Sequence, residues 1–169
     1  MASSVQDIYI TGLQNAHALE QQAIQILSRQ VERLENYPEI EAALRQHIKE
    51  SEAQRDRLDE ILSSMGESNS SVKDFVTGLM GNMAALAHAP MQDEVLKNHM
   101  ANYAFEHFEI AAYRSLLAMA ELAGDSSSPT ALKQSLSEEI RMAKWIEDNL
   151  DATTRKYVQL TAAGEKAGV

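Results

Sequence analysis

The chain has 169 residues, 44% of them hydrophobic and 24% charged, with no cysteine and a formal net charge of −10. That length supports one domain with a real core, and the missing thiols exclude disulfides, thiol catalysis and Cys-based zinc or iron–sulfur sites. The acidic balance, with a pI of about 4.9, argues against nucleic acid or an anionic membrane as partner.

Helix formers dominate and only 7 glycines and 3 prolines interrupt them; no alternating β-branched run is present, so the fold is expected to be all-α. No apolar run approaches the ~20 residues of a membrane span. The N-terminal residues lack a basic start followed by an apolar run, so the expected compartment is the cytoplasm.

The first helix is predicted from Ser4, where Ser4-x-x-Asp7 resembles a capping box. Its apolar stripe is Leu13, Ala16, Ala23, Leu27, Val31 and Leu34, with Glu20 in the middle. A second helix is predicted from Pro38 to Met65, closed by Gly66. Its stripe is apolar at both ends, but His47, Glu50 and Gln54 fill its centre.

A loop at 67–70 is followed by a shorter amphipathic helix predicted over 71–87, whose Met80 and Met83 read as packing residues. The third long helix is predicted from Pro90 to Ala123 and carries the stretch YAFEHFEIAAY, with Glu106, His107, Glu109 and Tyr113. Its stripe does not decide whether Glu106 or Glu109 faces inward. Gly124 ends it, and Ser128-Pro129 marks a serine-capped start of the fourth helix, which runs to about Thr161. Glu139 interrupts an otherwise apolar face there, and the residues from about 162 look frayed.

Short turns make two antiparallel hairpins, and a long connection joins them. The expected fold is therefore a ferritin-like four-helix bundle, with an extra helix in the crossover between the second and third long helices. The whole chain, 1–169, reads as a single helical domain. The hairpins also align weakly on each other: AHALEQQAIQIL with FEHFEIAAYRSL sets Glu20 over Glu109, and HIKESEAQRDRL with LSEEIRMAKWIE sets Glu50 over Glu139.

Four ionised carboxylates in one core would repel one another at a cost of several kcal/mol. Two divalent metals would relieve that repulsion, and carboxylate with imidazole suits iron or manganese. Sharing protons would relieve it as well. Unrelated polar contacts are the remaining alternative for the set. Glu20, Glu50, Glu109 and Glu139 are the candidate ligands, with Glu106 an extra ligand or a neighbour of one. The Glu-x-x-His spacing of such sites is missing, because Ala53 and Met142 stand where histidines would be. His47 and His107 are the available nitrogen donors, either as ligands or as hydrogen-bond partners. Gln54 and Tyr113 are expected as supporting partners, Tyr113 by donating to a carboxylate. His17, His88, His99 and Trp145 are assigned to surface or packing.

The motifs AHALEQQA, NYPEIEA, HIKESEAQ, YAFEHFEIAAYRSLLA and SEEIRMAKWI closely resemble the YciE/YciF family of bacterial stress-associated ferritin-like proteins, nearer the YciE branch. The resemblance runs from about residue 5 to 160. It implies a ferritin-like bundle, a cytoplasmic homodimer and a di-iron site formed by Glu20, Glu50, Glu106, Glu109 and Glu139, with His47 and Gln54. Where many relatives carry Lys and Asp on the fourth helix, this chain has Ile140 and Ala143, which counts against full two-metal occupancy. Two functions are therefore expected in competition. One is a stress-linked binder of one or two iron or manganese ions, open to oxygen or peroxide chemistry. The other is a metal-free helical dimer serving as a structural or interaction protein. The sequence names no catalytic residue or substrate.

Overall fold

The computed structural model describes residues 4–68 and 93–168, and these form four helices: α1 (Val5–Val31), α2 (Pro38–Ser64), α3 (Glu94–Ala123) and α4 (Pro129–Ala162). No strand occurs among the described residues. The crossover helix expected over 71–87, with Met80, Met83 and His88, and the start of the third helix at Pro90 lie outside them.

Local chemistry sets the ends. Ser4 and Asp7 form the expected capping box: Ser4 Oγ accepts from Asp7 N at 3.0 Å, and Asp7 Oδ2 accepts from Ser4 N at 2.9 Å. Pro38 and Pro129 begin α2 and α4, where a missing backbone donor costs nothing. Gly124 closes α3 at φ 72°, a left-handed conformation that favours glycine. The expected serine cap of α4 is absent. Instead, Asp125 Oδ1 accepts from the backbone N–H groups of Ser127 and Ser128, because its carboxylate reaches those donors directly. The residues after α4, expected to be frayed, are docked. Asn36 Nδ2 donates to Lys166 O at 2.6 Å, Tyr37 Oη donates to Ala167 O at 2.8 Å, and Ala167 is buried.

Each helix packs on two others, in the cyclic order α1, α2, α4, α3. Tyr9 near the start of α1 bonds Asp125 beyond the end of α3, and Gln30 near the end of α1 bonds Asn102 in the first half of α3, so α1 and α3 are antiparallel. Glu50 meets Arg141 while Arg57 meets Ser135 and Glu138, so α2 and α4 are antiparallel too. Hence α2 and α3 run parallel, as in the one-crossover arrangement of ferritin-like folds.

The apolar core is split. Tyr9, Leu13, Leu58, Leu62, Leu116 and Leu132 fill one end, and Leu27, Val31, Leu44, Val95, Met142 and Ile146 fill the other. Each such side chain contributes about 1.5–3 kcal/mol of burial. Between these plugs lies a polar layer.

Candidate metal centre

Seven-residue spacing explains the polar layer. Along α1, Leu13, Glu20 and Leu27 are buried in register; along α4, Leu132, Glu139 and Ile146; along α3, His99, Glu106 and Tyr113 form one row and Asn102, Glu109 and Leu116 another. A position seven residues from two core residues faces the core as they do. Glu20, Glu106, Glu109 and Glu139 are accordingly all about 1% exposed or less. Glu106 and Glu109 both face inward, which resolves the question left by the stripe.

On α2 the same rule selects differently. Leu44, Ser51 and Leu58 form one buried row, and Ile40, His47, Gln54 and Ile61 the other. Glu50 lies on neither row, one position before Ser51, and keeps 19% side-chain exposure. Its Oε1 accepts from Arg141 at 2.8 Å, and its Oε2 lies 3.4 Å from His47 Nδ1. The expectation that Glu50 stands centrally, as Glu139 does, is corrected: the fully buried Ser51 takes the core position. His107 is also displaced. It lies one residue from Glu106, about 100° around the helix, is exposed, and packs edge-on against Tyr103 at 4.6 Å between centroids.

His47 Nε2 and one carboxylate oxygen each from Glu106, Glu109 and Glu139 lie within 4.8 Å of one another. His47 Nε2 is 3.2 Å from Glu106 Oε2 and 3.7 Å from Glu139 Oε2, ion-pair contacts without hydrogen-bond alignment. Both oxygens of Glu109, both of Glu139 and Oε2 of Glu20 also meet no hydrogen-bond donor. Glu20 differs from the four, because its Oε1 accepts from Tyr113 Oη at 2.6 Å.

Burial, reinforced by the neighbouring carboxylates, raises the Glu109 and Glu139 carboxyls well above their usual range. Burial pushes Glu20 up to about 8, against the pull of the Tyr113 hydrogen bond. His47 is depressed by burial but lifted more by Glu106, Glu50 and Glu139, so it ends well above its usual value. Glu50 goes the other way, to about 2, through its contact with His47, partly opposed by burial and helped by Arg141.

These donors fit a divalent cation. Ligand atoms about 2.0–2.2 Å from one ion stand roughly 3–3.5 Å apart, so small side-chain rotations would close the 4.8 Å spread. One imidazole with three carboxylates is a hard, oxygen-rich set that suits manganese or iron. One ion fits this set. A second would draw on Glu20 Oε2, which Tyr113 leaves free, and would need Glu50 to leave Arg141.

The α2–α4 seam holds groups that sequence reasoning did not single out. Arg57 donates to Ser135 Oγ at 2.6 Å and to both oxygens of Glu138 at 2.8 and 3.0 Å, and Gln54 Nε2 donates to Glu138 Oε2 at 3.1 Å. Gln54 thus serves Glu138 rather than the central acids. The available signal was the register of Ser51 and Ser135 among the core rows. His17 pairs with Asp59 at 3.2 Å, and buried His99 contacts Ile146 O at 3.2 Å and Trp145 edge-on, as packing residues do.

Comparison with known proteins follows the same outline. The profile of the family described as "Domain of unknown function (DUF892)" matches residues 4–159. Protein YciF of Escherichia coli strain K12 is 27% identical over 142 residues, covering 80% of this chain and 84% of YciF. The crystal structure of the E. coli stress protein YciF superposes with a TM-score of 0.78 at 24% identity, covering 92% of this chain and 99% of that one. A protein of Xanthomonas campestris pv. campestris superposes with a TM-score of 0.80 at 26% identity, covering 94% and 99%. The architecture is that of a ferritin-like bundle. No described helix is long and apolar enough to cross a membrane.

Proposed function

The chain belongs to the DUF892 family, and we propose that it uses its interior acids to bind a divalent metal, iron or manganese, in a stress-linked role. His47, Glu106, Glu109 and Glu139 would hold the ion. The observation that carries this is the set of buried carboxylate oxygens on Glu109 and Glu139 that no donor serves. Four such acids in a dry core cost several kcal/mol unless a cation or shared protons compensate them. Bound there, iron or manganese would supply one-electron chemistry toward dioxygen or peroxide.

The protein's own groups support that use. Tyr113 holds one Glu20 oxygen and leaves the other free. The two apolar plugs close the layer at either end of the bundle. Glu50 orients His47 through Nδ1, leaving Nε2 to face the acids. The stress link rests on likeness to the E. coli stress protein YciF. The cytoplasmic location, the homodimer and the YciE-branch affinity rest on the motif resemblance.

A metal-free structural or interaction protein is the second reading. It is favoured by the engagement of Glu50 with Arg141 and Glu20 with Tyr113. The test is metal content. Protein purified without chelator, then loaded anaerobically with Fe²⁺ or Mn²⁺, should hold about one ion per chain. Glu109→Ala and Glu139→Ala should hold far less under the same loading. Native protein that binds neither ion defeats the metal reading, and oxygen consumption after loading separates a redox protein from a passive binder.

A further inference from the structure

We propose that divalent cations reach the central acids through the seam between α2 and α4, by way of Glu50, and that Arg141 sets the rate of passage. This rests on the metal reading above.

The seam is the sparsest of the four helix contacts. Polar side chains bridge its middle, from Glu50–Arg141 to Arg57–Glu138. A surface pocket of about 230 Å³ opens there, lined by Ala43, Gln46, His47, Glu50, Arg141 and Trp145 among others. His47 is 1% exposed, so the pocket floor is also a wall of the acid cluster. Its Nδ1 faces Glu50 and its Nε2 faces Glu106. A cation moving inward would therefore meet Glu50 at the mouth, then the unserved oxygens of Glu106 and Glu139. Arg141 stands over this path with its guanidinium on Glu50, and its side chain is 59% exposed. It can swing into water without losing buried contacts, and while seated it repels an incoming cation.

A second pocket that reaches the cluster lies between α1 and α3 and touches Glu106. Its walls are Ala23, Ile26, Leu27, Ala101 and Phe105. Its amides, Gln30 and Asn102, are engaged with each other at 2.8 and 3.2 Å. A dication there would shed water between apolar walls with the single carboxylate of Glu106 to replace it, which is costly.

Trp145, the only tryptophan in the chain, lines the mouth and reports on passage. Native protein freed of metal is mixed with Co²⁺ in stopped flow, and quenching of Trp145 fluorescence is followed; equilibrium Co²⁺ binding and circular dichroism are measured for every variant. Arg141→Ala should raise the association rate by about fivefold or more, as removal of a rim charge does. Glu50→Gln and Ala43→Phe should each slow it by about as much, with Ala43→Phe binding the same amount at equilibrium. Ala101→Phe, in the α1–α3 pocket, should leave the rate unchanged. A rate slowed by Ala101→Phe but not by Ala43→Phe overturns this route and leaves the metal site standing. Native protein that binds no Co²⁺ at equilibrium overturns both.

Discussion

Tyr113 on α3 donates a 2.6 Å hydrogen bond to Glu20 on α1, with both side chains buried. This bond stabilises the charged form of an acid that burial otherwise drives toward neutrality. Tyr113→Phe leaves Glu20 without a donor and should destabilise the metal-free protein by about 1–3 kcal/mol. The urea midpoint should fall with an unchanged slope. Adding Glu20→Leu to that variant should recover part of the loss, because the stranded group is then gone. Additive losses in the double variant would show that the two residues do not act together.

Stability of the metal-free protein should fall on the alkaline side. Glu20, raised from 4.5 to about 8, contributes stability that is full below 4.5 and lost as pH rises toward 8. Glu109 and Glu139 act with the same sign, as does His47, whose contribution is full below 6.5 and lost above its raised folded value. Glu50 opposes them at low pH: held at about 2, it contributes above 4.5 and loses that contribution as pH falls toward 2. The melting temperature of chelator-treated protein should therefore peak in mild acid and decline toward pH 8. Mn²⁺ should restore more at pH 8 than at pH 5, since its ligands must first lose their protons. A flat profile between pH 5 and 8 would contradict the acid cluster.

Glu109→Gln should change stability with opposite signs in the two states. Without metal it removes an acid that is costly to ionise beside Glu20, Glu106 and Glu139, and should stabilise the fold toward alkaline pH by about 1–3 kcal/mol. With saturating Mn²⁺ the native protein gains binding energy that the variant lacks, so the order of melting temperatures should reverse. Calorimetry on both proteins, with and without Mn²⁺, checks this. The same order in both conditions would place the ion elsewhere.

Position, rather than residue type, should rank the ligands. Glu139→Ala removes a fully buried donor and should weaken metal binding by about a hundredfold or more. Glu50→Ala removes a partly exposed group that acts on His47, and should cost nearer tenfold. His107→Ala, on the outer face, should leave affinity unchanged and alter stability by no more than about 0.5 kcal/mol. Equilibrium titration with Mn²⁺ orders the three. A loss at His107→Ala equal to that at Glu139→Ala would refute the arrangement.

Much of this protein was legible in one dimension. Ser4 and Asp7 marked the start of α1, and Pro38, Gly124 and Pro129 marked three further boundaries, because capping and ring constraints act over a few residues. The burial of Glu20 and Glu139 followed from their place within apolar rows, since a helix turns by a constant angle whatever surrounds it. Other features depended on neighbours. A stripe drawn three residues on from His47 reached Glu50, whereas the bundle buries Ser51, four residues on. Both lie near the same face, and the wide α2–α4 seam leaves room for Glu50 to turn outward to Arg141. Glu106 and Glu109 could not be ranked by periodicity because both lie on the buried arc, and His107 beside them is turned away. The sequence determined which turns of each helix are polar, because periodicity and capping are local. Only the tertiary structure decided which of those groups meet across the bundle, because the ion pairs, unserved oxygens and open seam are set by the approach of helices far apart in the chain.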